Sequence, residues 1–157
     1  YEHEELYNIM AALGIENGLE NLRYGKVIIA TDADTDGYHI RILLMTFFLT
    51  YFEELITTGR LFILETPLFR VRNKQNTVYC YSEKERDCVS KQIRGSEITR
   101  FKGLGEISAK EFKQFIGEDI KLLPVTISSL SEVRRKMAFF MGKNTPVRRD
   151  FIMEHLV

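Results

Sequence analysis

Residues 26–37 read Lys26-Val-Ile-Ile-Ala-Thr-Asp32-Ala-Asp34-Thr-Asp36-Gly37, a short apolar run that ends in three carboxylates and a glycine. The uncharged residues 27–30 are mostly β-branched, which predicts a short strand buried on both faces, as in a parallel sheet under helices. If the chain stays extended, Asp32 and Asp34 point to the same side, roughly 6.5 to 7 Å apart. The stretch therefore predicts carboxylates gathered at the end of a buried strand.

Three acids at the end of a core strand need a physical reason, because like charges repel. Two unit charges about 4 Å apart repel by about 1 kcal/mol in water and several-fold more near a protein surface. A hard divalent cation turns this repulsion into binding, since Mg²⁺ prefers carboxylate oxygens and keeps positions for phosphate. Asp32, Asp34 and Asp36 are therefore candidate metal ligands, and the simpler alternative is a solvated acidic loop.

Composition limits the classes of protein that this chain can belong to. It has 157 residues, 45% hydrophobic and 28% charged, which indicates one folded domain with at most a small appendage. The formal net charge is zero, so nucleic-acid binding would depend on local basic patches. Cys80 and Cys88 form no zinc pattern, which indicates a reducing, cytosolic compartment and no structural disulfide.

Apolar periodicity predicts the other elements. A helix over 2–13 ends at Gly14, and Asp36 caps a buried helix over 38–57. The uncharged part of that helix has 11 residues, fewer than the about 20 of a membrane span. A second buried strand at 61–64 completes a right-handed parallel strand–helix–strand unit. The remaining predictions are hairpin strands at 69–72 and 77–81, a helix over 83–93, a third strand of the sheet at 97–101, a helix over 109–116, a last strand at 122–127, and helices over 131–141 and 146–156.

Two other protein classes share part of the acidic pattern. An EF-hand loop needs a preceding helix and a glutamate at its twelfth position, which here is Leu43. A Mg²⁺-dependent phosphatase of the haloacid-dehalogenase type also has D-x-D after a buried strand, but its motif continues to Thr or Val where this chain has Asp36. The EF-hand is excluded, and the phosphatase is kept as an alternative.

Longer motifs resemble one family. Residues 31–41, Thr-Asp-Ala-Asp-Thr-Asp-Gly-Tyr-His-Ile-Arg, are similar to the Toprim domain of bacterial type IIA DNA topoisomerase B subunits, those of gyrase and topoisomerase IV. Residues 100–106, Arg-Phe-Lys-Gly-Leu-Gly-Glu, resemble the family's second hallmark, and 146–152 resemble its C-terminal tail. The resemblance implies an α/β Toprim (Rossmann-like) fold, a mainly parallel sheet flanked by helices with a C-terminal helical tail. We expect a Toprim domain over 1–127 and the tail over 128–157.

The resemblance also implies a chemistry. In the family, a tyrosine of the partner A subunit attacks DNA, supported by Mg²⁺ at the Toprim acids, for which Mn²⁺ or Ca²⁺ can substitute. By position, Asp32 and Asp34 are catalytic through the metal and Asp36 is the third acid, while no nucleophile lies in this chain. The resemblance further implies that ATP is bound by a domain absent here, that the assembly is an A₂B₂ heterotetramer on double-stranded DNA, and that the location is cytoplasmic and nucleoid-associated. The candidate DNA-binding residues are His39, Arg41, Arg100, Lys102, Arg148 and Arg149.

One motif of the family is missing. The E-G-D-S-A-type motif, whose glutamate completes the metal site, does not occur before Lys26, and the chain opens without an initiator methionine. We therefore expect a piece of a longer protein that is inactive by itself and binds metal weakly. A non-catalytic module that docks onto the A subunit and DNA is the third functional alternative.

Overall fold

The computed structural model describes residues 3–118 and 120–155, which form two compact units, 1–125 and 126–157. The first unit carries six strands and five helices among its described residues. The second consists of two helices, α6 and α7. The helices are α1 Glu4–Leu13, α2 Thr35–Tyr51, α3 Glu53–Thr57, α4 Glu83–Gln92, α5 Ala109–Phe115, α6 Leu130–Met141 and α7 Thr145–His155.

Six strands form two three-stranded sheets in the part of the chain that the structure describes. The strands are β1 Val27–Ile29, β2 Leu61–Leu64, β3 Phe69–Arg72, β4 Thr77–Cys80, β5 Glu97–Arg100 and β6 Leu122–Pro124. The first sheet has the order β1-β2-β6, with β1 parallel and β6 antiparallel to β2. The second has the order β4-β3-β5 and is antiparallel throughout. The expected α/β class is observed, but the parallel pairing predicted for most of the sheet is confined to β1 and β2.

The strand predicted at 97–101 forms, but its place in the main sheet was wrong. β5 pairs antiparallel with β3, with Phe69 opposite Arg100 and Arg72 opposite Glu97. The third strand of the first sheet is instead β6, in which Leu122 lies opposite Leu64. Strand propensity marks both segments, whereas the partner of each depends on tertiary register.

The helix after the acids differs from its prediction at both ends. It begins at Thr35 because Asp34, not Asp36, is its N-cap, and the Asp34 side chain accepts a hydrogen bond from the Gly37 amide at 2.7 Å. The helical stretch predicted up to residue 57 is interrupted at Phe52, where α2 ends and α3 follows. Two other predicted termini, Glu2 and Leu156, lie outside the described residues.

The second sheet is covered on both faces. Phe69, Val71 and Cys80 form a buried cluster against which Val89 and Ile93, in and just after α4, pack. On the opposite face, a second cluster of Phe101, Ile107 and Phe115 packs with Tyr79 and Phe112. Alternate residues of β3 and β4 therefore point to different helices, as strand geometry requires.

Within the described ranges, 3–118 and 120–155, no helix combines the length and the apolar character that a membrane crossing requires.

Candidate functional site

The acidic loop (residues 31–37) lies where β1 ends and α2 begins. β1 and β2 are parallel, so their carboxyl ends meet at the same edge of the sheet, the usual position of ligand sites in open α/β folds. Asp32 follows β1 at this edge and Glu65 follows β2. The fold therefore places three carboxylates, those of Asp32, Asp34 and Glu65, around one cleft of about 250 Å³, called the first cleft.

Arg41 forms the basic wall of the first cleft. It lies on α2, and its guanidinium donates two hydrogen bonds of 3.2 Å to the hydroxyl of the buried Thr31. Tyr81 is also part of the lining, and the Lys121 ammonium lies 3.6 Å from the centre of its ring. Burial first, and then the charges of Glu65 and Glu85, raise the pKa of Tyr81, which keeps the phenol protonated at neutral pH.

A second cleft, of about 440 Å³, also has Asp34 in its lining. Its lining includes Asp34 and Thr35 from the acidic loop, together with Arg100 and Lys102 from the far end of β5 and the segment after it. Two of the predicted DNA-binding residues are thus brought to the acids across more than sixty positions of sequence. Asp34 is shared by both clefts.

The carboxylate of Asp32 is held from outside its own loop. The backbone amide of Leu104, in the glycine loop (residues 102–105), donates to its Oδ1 at 2.7 Å. Gly103 packs so closely that a Cβ there would lie 3.2 Å from the Cγ and Oδ2 of Asp32. Lys102 of this loop was predicted to contact DNA, and the structure also places the backbone of the loop beside an acid.

Asp32 and Asp34 suit a magnesium ion that takes its remaining ligands from water and phosphate, rather than a metal ion bound by protein side chains alone. Among the described residues, no three side chains of His, Cys, Asp or Glu are close enough to hold a metal ion together. Each of the two carboxylates uses Oδ1 for one backbone amide, and no further hydrogen bond from the described residues reaches either of them. Mg²⁺ is commonly bound by one or two carboxylates with phosphate oxygens and water, so this donor set suits it.

The other predicted site residues lie on α2 and in the second unit. Asp36 is exposed in the first turn of α2, and His39 is exposed further along that helix. Both are outside the described lining of the two clefts. In the second unit, Arg148 donates to the carbonyl of Phe140, and Arg149 pairs with Asp150 at 2.8 Å.

Sequence reasoning missed several residues around the site. Glu65 had a usable signal, because it directly follows a strand predicted to be parallel to β1. The hydrogen bond between Arg41 and Thr31 had no sequence signal beyond the spacing of ten residues between them. The amide of Leu104 is 72 residues from Asp32, and no local pattern predicts that hydrogen bond.

Two protein families match this chain. The family described as the Toprim domain matches residues 3–66, which include β1, the acidic loop and α2. The family described as the carboxyl terminus of the DNA gyrase B subunit matches residues 94–153, which include the glycine loop and most of the last two helices. The two matches thus cover both sides of the candidate site.

Curated relatives agree with these matches. The B subunit of DNA topoisomerase 4 from Borreliella burgdorferi is 61% identical over 159 residues, covering 100% of this chain and 26% of its own. The B subunit of DNA gyrase from Thermotoga maritima is 37% identical over 162 residues, covering 98% of this chain and 26% of its own. The chain thus spans about a quarter of the length of these relatives.

The fold itself is shared with a solved structure. The crystal structure of the Plasmodium falciparum topoisomerase II DNA-binding, cleavage and re-ligation domain superimposes with a TM-score of 0.75 at 24% identity, covering 99% of this chain and 23% of that one. With both family matches and a relative at 61% identity, the chain belongs to the family of bacterial type IIA DNA topoisomerase B subunits, of which it carries the Toprim domain and the carboxyl-terminal gyrase B segment.

Proposed function

We propose that this chain is the metal- and DNA-binding part of an ATP-dependent type II DNA topoisomerase, supporting DNA cleavage and religation by the tyrosine of a partner A subunit. The observation that carries the proposal is that Asp34 lines two clefts, one with Asp32 and Arg41 and one with Arg100 and Lys102. Carboxylates for a cation and basic side chains for phosphates are thereby placed side by side.

The chain's own residues would hold the scissile phosphate and its cation. Asp32 and Asp34 bind the cation, with Asp36 as the third acid of the predicted set. Arg41, fixed by Thr31, faces a phosphate in the first cleft, and Arg100 and Lys102 face the neighbouring backbone. When bound, Mg²⁺ stabilises the charge that develops on the phosphoryl group and on the leaving 3′ oxygen. With that stabilisation, the 3′ oxygen could leave without a general acid from this chain.

The partners and the remaining contacts follow from the same proposal. Its partners are the A subunit, in an A₂B₂ assembly, and double-stranded DNA, which implies a cytoplasmic, nucleoid-associated location. ATP is bound elsewhere in the full-length protein. We assign residues 1–127 to the Toprim domain and 128–157 to the helical tail, an assignment supported by the compact units that meet at residue 125. His39, Arg148 and Arg149 are proposed as outer DNA contacts. The identity of 61% to a topoisomerase 4 relative supports that type over gyrase.

The test uses the complete gene product with its cognate A subunit. Asp32→Asn and Asp34→Asn should each reduce Mg²⁺-dependent DNA cleavage by about 10²-fold or more, the scale of losing one group that stabilises transition-state charge. Asp87→Asn on α4, an exposed acid paired with Arg86, should leave cleavage unchanged. If Asp34→Asn cleaves DNA as well as the unsubstituted protein, the acids are not catalytic, and the chain would be a non-catalytic module that docks onto the A subunit and DNA. Decatenation without supercoiling would support the topoisomerase IV type.

The phosphatase alternative is not favoured by the family matches, and it can be tested directly on this chain. Turnover of a chromogenic phosphate ester by the chain alone, lost in Asp32→Asn, would restore it.

A further inference from the structure

A single backbone hydrogen bond joins Asp32 to the glycine loop. Leu104 donates its amide to Asp32 Oδ1 at 2.7 Å. Short hydrogen bonds from a backbone amide to an ionised carboxylate are among the strong ones in proteins. Because the amide belongs to the backbone, its direction is set by the loop rather than by a side-chain rotamer. This bond therefore fixes how the Asp32 carboxylate is turned.

The loop is itself held in place at several points. The amide of Lys102 donates to the carboxylate of Glu106 at 2.9 Å, and the amide of Glu106 donates to the carbonyl of Gly103 at 3.2 Å. Ile107, the next residue, is buried in the cluster with Phe101 and Phe115. The Leu104 amide therefore lies in a turn whose conformation is fixed by hydrogen bonds and by the burial of Ile107.

The absence of a side chain at Gly103 matters for the space it leaves, and not for backbone freedom as at most loop glycines. Its φ of −140° is open to any residue, so backbone freedom does not explain it. A Cβ at Gly103 would instead lie 3.2 Å from Asp32 Cγ and Oδ2 and 3.3 Å from Oδ1. Carbon atoms in comfortable contact are about 3.5–4.0 Å apart, so the added methyl would shift the carboxylate by a few tenths of an ångström. At Gly105 a Cβ would meet no atom within 4 Å.

We propose that Gly103 and Leu104 are positioning residues for Asp32: the Leu104 amide holds one carboxylate oxygen, and the missing Cβ of Gly103 leaves room for the orientation that binds the cation. The inference rests on the proposed function, in which Asp32 is a cation ligand. Residues that orient a metal ligand typically change metal affinity by about 10–100-fold when they are altered. Gly103 and Leu104 would then act on the cation through Asp32, separately from the DNA contact proposed for Lys102.

The experiment measures Mn²⁺ binding to the complete gene product by electron paramagnetic resonance, without DNA or A subunit. Gly103→Ala should weaken Mn²⁺ binding by about 10–100-fold, the range found for groups that orient a ligand. Gly105→Ala, the matched control in the same loop, should stay within about twofold, because its methyl meets no neighbour. Equal affinities for the two variants would overturn the positioning role.

A second measurement does not depend on how Gly103→Ala folds. Amide hydrogen exchange is read in the unsubstituted protein and in Asp32→Ala, both free of metal. Removing the acceptor should raise the exchange rate of the Leu104 amide by about tenfold or more, because its hydrogen bond is lost. An unchanged rate would overturn the inference.

Failure of the proposed function gives a different result. If Asp32→Asn binds Mn²⁺ as tightly as the unsubstituted protein, then Asp32 is not a cation ligand, and the proposed function and this inference both fall. If Asp32→Asn weakens binding and Gly103→Ala does not, only the positioning role falls.

Discussion

Glu111 ties α5 to the second sheet through an ion pair with Arg70, whose Nη1 lies 2.5 Å from its Oε1. The side chains are only 18% and 19% exposed, and the phenol of Tyr79 donates to the same oxygen at 3.0 Å. The other oxygen accepts from the Ser108 hydroxyl at 2.7 Å in the capping box of α5. One carboxylate therefore joins a helix start to two strands.

Neutralising Glu111 should destabilise the protein although the helix cap survives. Glu111→Gln keeps a side chain that suits a capping box but leaves the largely buried Arg70 without a carboxylate partner. We expect a loss of about 2–4 kcal/mol in the free energy of unfolding, measured by urea denaturation. Glu97→Gln breaks an exposed pair with Arg72 at 3.6 Å and should cost under about 1 kcal/mol. Equal losses for the two variants would contradict this account.

The same carboxylate predicts a dependence of stability on pH. Hydrogen bonds from Ser108 and Arg70, then from Tyr79, lower the pKa of Glu111 from 4.5 to about 2, against the opposing effect of burial. A depressed pKa stabilises the folded protein fully above the unfolded value and loses that contribution as pH falls toward about 2. The stability difference between the unsubstituted protein and Glu111→Gln should therefore shrink between about pH 5 and pH 2. A constant difference in denaturation series over that range would refute the assignment.

The acidic loop should not tolerate a side chain at Gly37. A Cβ there would collide with the carbonyl oxygen of Asp32 and lie 2.8 Å from its carbonyl carbon. Because both are backbone atoms, Gly37→Ala should cost about 1–3 kcal/mol or more, in line with other overpacked sites. Gly25→Ala, two residues before β1, meets no atom within 4 Å and is the control. Thermal unfolding of both variants decides between a required close approach and a permissive turn.

Asp34 has a structural role that can be separated from its charge. Asn is about as good an N-cap as Asp, whereas Ala is poor. Asp34→Asn should therefore unfold within about 0.5 kcal/mol of the unsubstituted protein, and Asp34→Ala should lose about 1 kcal/mol. Mn²⁺ binding should fall in both variants, since both lack the carboxylate. If Asp34→Asn is as unstable as Asp34→Ala, the cap does not explain where α2 begins.

The two thiols should differ in reactivity. Cys80 is 1% exposed and Cys88 is exposed, and both are free. Burial raises the pKa of the Cys80 thiol, which further lowers its thiolate fraction. In the native protein, Ellman's reagent should therefore modify Cys88 rapidly and Cys80 only on unfolding. Cys88→Ser should abolish the rapid phase, and rapid labelling that persists in it would contradict the burial of Cys80.

Features of the fold that depend on residues close in sequence could be predicted. β1, β2, the hairpin and the starts of α4 and α5 each follow from side chains within a few positions, and the structure shows Ser82 and Ser108 as the caps of the two helices. The start of α2 was missed because Asp34 and Asp36 are both good caps, and the Gly37 amide bonds to the first of them.

Features that depend on distant residues could not be predicted. The strand pattern of β5 carries no information about whether it joins β2 or β3, because alternation defines faces and not neighbours. The bond from Leu104 to Asp32 likewise exists only once the two halves of the first unit have come together. Motif resemblance, rather than periodicity, brought Arg100 and Lys102 under consideration.

Asp34 lines both clefts, so the cation and the phosphate proposed for them would share one carboxylate, and their binding would be thermodynamically linked. A cation resting on this carboxylate in the first cleft would reduce the negative potential that an anion meets in the second, so each ligand would raise the affinity for the other by the same factor. Cation and nucleic-acid backbone would then be gained or lost together, which restricts the charged, cleavage-competent arrangement to times when DNA is in place.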